Sequence, residues 1–455
     1  MSKILNYIVE NNRHEIPHVI SLHTAYDLWA ERQESRSRGR KLPENLSKQL
    51  QNNLNFFAKI KLNFIFAKND NPMVERTLQS KLRHLATKFP FAAILGPRQS
   101  GKSTLAGMAF PDYARVSLED LDNREFAATD PRGFIATYPD RTIIDEVQRV
   151  PTLLSYLQTH ADNMRKTGMY ILTGSHNLAL SDAIDQSLAG RTAILTLLPF
   201  SHQEMRDAGI MPASVDEEIF QGSYPRLYDY NIAPTDYYPN YIQTYIERDI
   251  RSLKNIGDLA KFTKLIKLCA GRIGQLLNKN SLAVECGVSA PTIDSWLSIL
   301  EACYIIHFLL PDHRNYSKRL VKSPKLYFCD TGLACSLLEI KSPGQLATHY
   351  LRGGLFENMV INEFLKRGYN HGVQPDLSFW RDSSGNEIDL LSGTEEKERL
   401  AFEIKSGATF SKEYFKGLNY WSGLSGADST HKTVIYGGDR SMSTSDGKVS
   451  AWKDL

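Results

Sequence analysis

The chain has 455 residues, which at roughly 150 residues per domain implies about three domains and excludes a single small module. Its 54 Lys plus Arg against 51 Asp plus Glu leave a net charge of +3, too near balance for the whole surface to bind polyanions, so any basic patch must be local. With 42% hydrophobic and 23% charged residues, the composition is globular and excludes a disordered or collagenous chain.

Residues 1–72 stand apart. They hold 11 basic and 7 acidic side chains, ten asparagines and a basic cluster from Arg36 to Lys41, and they end in the linker-like Asn69-Asp70-Asn71-Pro72. We read them as an N-terminal extension. Lys59, Lys61 and Lys68 interrupt their most apolar run, so no membrane span is expected, and no signal-peptide core is expected either. The five cysteines are an odd number without a CxxC pair, which predicts reduced thiols in a cytoplasmic protein.

From Met73 the pattern changes. Val74, Leu78, Leu82 and Leu85 share one helical face over 74–88. Strands are then predicted at 91–95, 114–118, 142–144, 169–172 and 192–197, alternating with helices at 102–109, 119–128, 152–164 and 179–188. That alternation predicts a parallel sheet covered by helices on both faces, with ligands at the carboxyl ends of its strands. Helices dominate from 200 to about 280, clearest at 241–253 and 259–277. A helix-turn-helix pattern and a hairpin follow, and the end reads helix, strand, strand, helix, strand. The expected division is 1–72, 73–200, 201–345 and 346–455.

Gly96-Pro97-Arg98-Gln99-Ser100-Gly101-Lys102-Ser103 fits the phosphate-binding pattern GxxxxGK[ST] between a strand and a helix. Its glycines let backbone N–H groups close round phosphate oxygens at a helix N-terminus, where Thr104 follows. Lys102 is expected to reach the terminal phosphates of ATP and Ser103 to ligate Mg²⁺. Asp145, ending the third strand, would hold the same ion, and Glu146 would orient and deprotonate the attacking water. Ser175 and Asn177, after the fourth strand, either sense the terminal phosphate or cap a helix. Arg191, just before the fifth strand, is either a finger reaching a neighbouring subunit's phosphate or an ordinary surface residue.

Together with Ser117-Leu118-Glu119-Asp120, Asp130-Pro131, Ile144-Asp145-Glu146-Val147-Gln148, Leu172-Thr173-Gly174-Ser175, Leu188-Ala189-Gly190-Arg191 and Leu198-Pro199-Phe200, this loop resembles the prokaryotic AAA+-type ATPases that carry a characteristic C-terminal domain of unknown function. Residues 245–250 and 353–358 extend the likeness, which runs from about Met73 to Tyr436. Gly222-Ser223-Tyr224-Pro225-Arg226 departs from the family's Gly-Gly-Tyr-Pro-acidic pattern. The resemblance implies an α/β fold: a P-loop NTPase parallel sheet of AAA+ type, then a helical and winged-helix region, then a PD-(D/E)xK-like α/β domain. It also implies a homo-oligomer.

Leu282 to Leu297 has helix-turn-helix spacing, with Gly287 in the turn and Ser289 capping the second helix. The hairpin after it encloses His313, Arg314, Lys318, Arg319 and Lys322, a patch suited to phosphate contact. The second helix offers only Thr292, Asp294 and Ser295 as polar residues, which predicts weak base reading and leaves a structural or protein-binding role open. In the last domain Glu357, Asp389, Glu403 and Lys405 resemble the D…ExK layout of nuclease-like folds. Asp389 and Glu403 would hold a divalent ion, Glu357 would complete its shell, and Lys405 would polarise water. Two functions stand against each other: a DNA-directed ATPase with a nuclease-like end, and a regulatory ATPase whose C-terminal region binds a protein partner.

Overall fold

The computed structural model describes residues 73–175, 188–250, 258–312, 321–393 and 399–455. The N-terminal extension, Asn177, and His313, Arg314, Lys318 and Arg319 of the basic patch lie outside the described residues. Among the described residues, no helix is long and apolar enough to cross a membrane.

Helix α1 (Leu78–Ala86) buries Leu78 and Leu82 as their spacing requires. Five strands then form one sheet: β1 (Phe91–Leu95), β2 (Ala114–Ser117), β3 (Thr142–Asp145), β4 (Tyr170–Gly174) and β5 (Thr192–Thr196). Their order is β2-β3-β4-β1-β5, and every pairing is parallel. The strand period of two divides β1 between two cores. Phe91, Ala93 and Leu95 face the side where α3 (Leu121–Thr129), α4 (Pro131–Thr137) and α5 (Leu153–Met164) lie. Ala92 and Ile94 face α1 and α2 (Lys102–Ala109). Asp130, expected to close a helix, also opens α4, accepting the Gly133 N–H at 2.9 Å with Pro131 in the first turn.

Helices α6 (His202–Asp207) and α7 (Val215–Gln221) each begin with a capping box, Ser201 with Glu204 and Ser214 with Glu217. After α8 (Pro225–Asp229), α9 (Pro234–Tyr241) continues as a π-helical stretch, Ile242–Ile250. Helix α10 (Leu259–Ala270) is shorter than the expected run to Leu277, stopping at Gly271. The helix-turn-helix is present as α11 (Lys279–Cys286) and α12 (Ala290–Ala302), with Gly287 at φ 65° and the Ser289 hydroxyl accepting the Thr292 N–H.

The hairpin β6 (Ile306–Pro311) and β7 (Lys325–Phe328) is antiparallel, with Ile306 opposite Phe328. Helices α13 (Thr331–Leu337) and α14 (Arg352–Asn370) follow, then β8 (Leu377–Arg381), β9 (Glu387–Ser392) and β10 (Leu400–Lys405). Helix α15 (Phe415–Ser425), β11 (Lys432–Tyr436), β12 (Met442–Ser443) and β13 (Lys448–Ala451) complete the chain. The hairpin does not stand free as a wing. Leu310 and Pro311 pair in parallel with Ser378 and Phe379, so β6 and β7 close one edge of an eight-stranded sheet, β12-β13-β11-β10-β9-β8-β6-β7. The sheet therefore runs across the boundary expected near residue 345, and one apolar core reaches from Val215 to Trp452.

Candidate functional sites: a phosphate loop and a carboxylate cluster

Strand β1 ends at Leu95 and the loop turns at Gly96, whose backbone lies so close to Leu197 that a Cβ there would meet the Leu197 carbonyl oxygen at 2.1 Å. Gly101 caps α2 at φ 90°, a conformation that favours glycine. Pro97 and Ser100 are buried, whereas Gln99, Ser103 and Thr104 are exposed. Between the glycines, Gln99 is held at φ 65° with its side-chain oxygen accepting the Tyr237 hydroxyl at 2.8 Å. Arg98 donates to Glu119 at 3.0 Å.

Lys102 is buried and donates to the carbonyls of Gly96 at 3.0 Å and Pro97 at 2.7 Å. Burial outweighs the attraction of Glu146 and Asp145 and lowers the Lys102 ammonium to about 8. An anion in the loop would raise it again.

Strand β4 separates β1 from β3, so the loop and Asp145 stand about 10 Å apart in strand spacing, and α2 bridges the gap. The Ser103 hydroxyl reaches Asp145 Oδ1 at 2.6 Å, and the Thr173 hydroxyl donates to the same oxygen. These hard oxygen donors fit Mg²⁺. Glu146 sits at φ 55°, unusual for a non-glycine residue and a form of strain that clusters at active sites. Its N–H donates to Thr173 Oγ1 at 3.3 Å, while its carboxylate Oε2 accepts Ser175 Oγ at 2.9 Å and the Gln148 amide. Ser175 is thus placed on Glu146. Sequence reasoning missed Thr173 and Gln148 as site residues, although both lie within the strings that carried the motif.

Arg191 lies at the opposite end of the sheet. Thr192 pairs with Phe91, the first residue of β1, whereas the phosphate loop follows Leu95, about 17 Å along the strand. Arg191 is half-exposed and bonds Asp162 of α5 through Nε at 2.7 Å and Nη2 at 3.1 Å. That hydrogen bond and the Asp162 charge raise its pKa. It cannot reach its own phosphate loop.

The second site lies on the eight-stranded sheet. Glu403 and Lys405 alternate with buried Phe402 and Ile404 along β10, as expected. Asp389 Oδ2 accepts the Ile404 N–H at 2.7 Å. Lys405 Nζ lies 2.5 Å from Glu403 and 3.9 Å from Asp389. Glu403 Oε2 is buried without a hydrogen-bond partner among the described residues, and burial, reinforced by Asp389, pushes its carboxyl up to about 7. Glu357, on α14, turns instead to Lys325 at 2.8 Å and to the Tyr327 hydroxyl, both from β7. Lys325 also pairs with Glu387. Burial opposes the Lys325 charge, yet Glu357, Asp389 and Glu387 together hold its ammonium above the usual range.

No three His, Cys, Asp or Glu side chains among the described residues close into a metal-ligand group. The orphaned Glu403 oxygen beside Asp389 fits a cation; Glu357 lies within reach of the Asp389 charge but spends its own carboxylate on Lys325. Lys325 and Tyr327 carried no local signal in the sequence, because only the pairing of β6 with β8 brings β7 into this sheet.

A family model agrees with the first site. Residues 88–206 match the model of an AAA domain, and residues 212–344 and 352–455 match two domains of unknown function (DUF8612 and DUF4143). Uncharacterized proteins of Mycobacterium tuberculosis and Mycobacterium bovis are each 27% identical over 388 residues, covering 83% of this chain and 83% of theirs. Among solved structures, a Walker-type ATPase of Pyrococcus abyssi is 14% identical with a TM-score of 0.41, covering 58% of this chain and 96% of its own. The RuvB Holliday junction branch migration motor of Thermotoga maritima is 19% identical with a TM-score of 0.29, covering 51% and 89%. Residues 88–206 are an ATP-binding P-loop ATPase domain of the AAA type.

Proposed function

We propose that the chain is a Mg²⁺-dependent ATP hydrolase that works as a homo-oligomer. The observation that carries this reading is the 2.6 Å contact of Ser103 with Asp145 beside Glu146. Lys102 binds the terminal phosphates, and Ser103 and Asp145 hold Mg²⁺, which neutralises phosphate charge when bound. Glu146 orients the attacking water and takes its proton, while Gln148 and Ser175 keep its carboxylate in place. Arg191, remote from its own loop, supplies positive charge to a neighbouring copy's phosphates after leaving Asp162. Steady-state ATP turnover tests the reading. Lys102→Ala should lose nucleotide binding, Glu146→Gln should keep it and turn over far more slowly, and unchanged turnover in both would refute the assignment.

The C-terminal region, on this proposal, acts on a nucleic-acid backbone. The buried, unpartnered Glu403 oxygen beside Asp389 and Lys405 favours a metal-dependent nuclease-like site over a purely protein-binding one. Asp389 and Glu403 would hold the ion, which would supply Lewis-acid activation, and Lys405 would orient water. Base reading by α12 is weak, since Asp294 pairs with Lys279 at 2.6 Å and Thr292 bonds Ser289. Cleavage of DNA and RNA with Mg²⁺ or Mn²⁺, with and without ATP, compared with Asp389→Ala, decides this; equal cleavage by both proteins, or none by either, removes the nuclease reading.

A further inference from the structure

Arg76 lies outside the matched ATPase segment, yet it is 4% exposed and donates from all three guanidinium nitrogens. Nη1 donates to the Ser100 carbonyl at 2.7 Å, Nη2 to the Leu198 carbonyl at 2.6 Å and Nε to Glu204 at 3.1 Å, with the Phe200 ring 5.1 Å away. Ser100 is the residue before Gly101 in the phosphate loop. In a trans peptide the C=O and the following N–H point in opposite directions. Fixing the Ser100 carbonyl on Arg76 therefore turns the Gly101 N–H to the other side of the loop backbone. Leu198 follows Leu197, the residue against which Gly96 is pressed. One side chain thus ties the phosphate loop to the segment that backs it, in a planar fork that a lysine cannot reproduce.

Glu204 extends the tie. The same Oε1 accepts the Thr77 N–H at 2.9 Å, and Oε2 accepts the Ser201 N–H at 3.0 Å. One face of α14 then grips this segment over two turns. Glu363 accepts the His202 N–H at 2.7 Å, and Lys366 donates to the Phe200 carbonyl at 2.8 Å. Asn370 reaches Ser201 at 3.4 Å. Helix α14 also carries Glu357 of the carboxylate cluster, 13 residues from Asn370 and so about 20 Å along its axis.

We propose that Arg76 is a positioning residue that shapes the phosphate loop and sets it against helix α14 of the C-terminal region. The inference rests on the nucleotide-site reading above. Its test is ADP affinity in the full chain. Arg76→Lys keeps a positive charge beside Glu204 but cannot span both carbonyls, and it should weaken ADP binding tenfold or more. The loss should fall on KM more than on kcat, since Glu146 and Asp145 are untouched. Arg76→Met with Glu204→Gln removes both charges together, avoiding an unpaired buried carboxylate, and should show the same loss if Arg76→Lys does not fold. An affinity less than tenfold below wild type in whichever of these variants melts cooperatively overturns the proposal. A wild-type protein that binds no ADP would instead refute the nucleotide-site reading, and this inference with it.

Discussion

The phosphate loop and the C-terminal cluster bury charge in opposite senses. At the loop a lysine faces carbonyl oxygens, and burial brings its ammonium down to about 8. On the sheet a carboxylate is buried beside a second one, and its carboxyl rises to about 7 although Lys405 touches it. In both, burial is the largest cause and disfavours the charged form, so a ligand of opposite charge would move each value back towards its ordinary range.

The largest expected effect comes from adding charge to the first site in trans. Arg191→Ala should lower ATP turnover of the assembled protein about 10³-fold or more if it acts as a finger. Normal turnover in the assembled state would leave Arg191 as the surface partner of Asp162. On the second site, Asp389→Ala should bring metal-stimulated nucleic-acid cleavage to background while leaving ATP turnover intact, measured on one preparation. Equal loss of both activities would mean that the two sites are not separate. Gly96→Ala should cost about 1–3 kcal/mol in urea unfolding, since its Cβ would meet the Leu197 carbonyl at 2.1 Å. A variant of wild-type stability would show that the loop is less tightly backed than its geometry says.

The smallest effect lies between the sites. Burial alone would lower the pKa of His202, but Glu218 and Glu363 outweigh it, and the folded value is raised above 6.5. A raised folded value means that the folded state binds the proton more tightly than the unfolded chain. The stability from His202 is therefore fully present below pH 6.5 and fades as pH rises through the folded value. The melting-temperature gap between wild type and His202→Gln should be widest at acid pH and narrow above it; a gap independent of pH would mean that folding leaves the His202 pKa unshifted, and a gap that shrinks towards acid pH would mean that His202 is held neutral in the fold.

Much of the first site could be read from the sequence because its constraints are local. The strand 91–95 and the helix 102–109 occur where the pattern put them, and Asp145 ends its strand. The order of the strands could not be read, and it is β4, inserted between β1 and β3, that brings Thr173 to Asp145. The second site was legible only where it follows the period of one strand, at Glu403 and Lys405. Lys325 and Tyr327 reach Glu357 from residues about 30 positions earlier, through a parallel pairing that no local pattern encodes. Arg76 was hidden for the same reason: its partners Ser100, Leu198 and Glu204 are 24 to 128 positions away.

The most direct test of the central claim is a single-turnover measurement on Glu146→Gln with Mg²⁺ and ATP. The account predicts stoichiometric ATP binding with hydrolysis slowed about 10²–10⁴-fold relative to wild type, because the loop, Ser103 and Asp145 remain while the base is lost. Hydrolysis at the wild-type rate would contradict it.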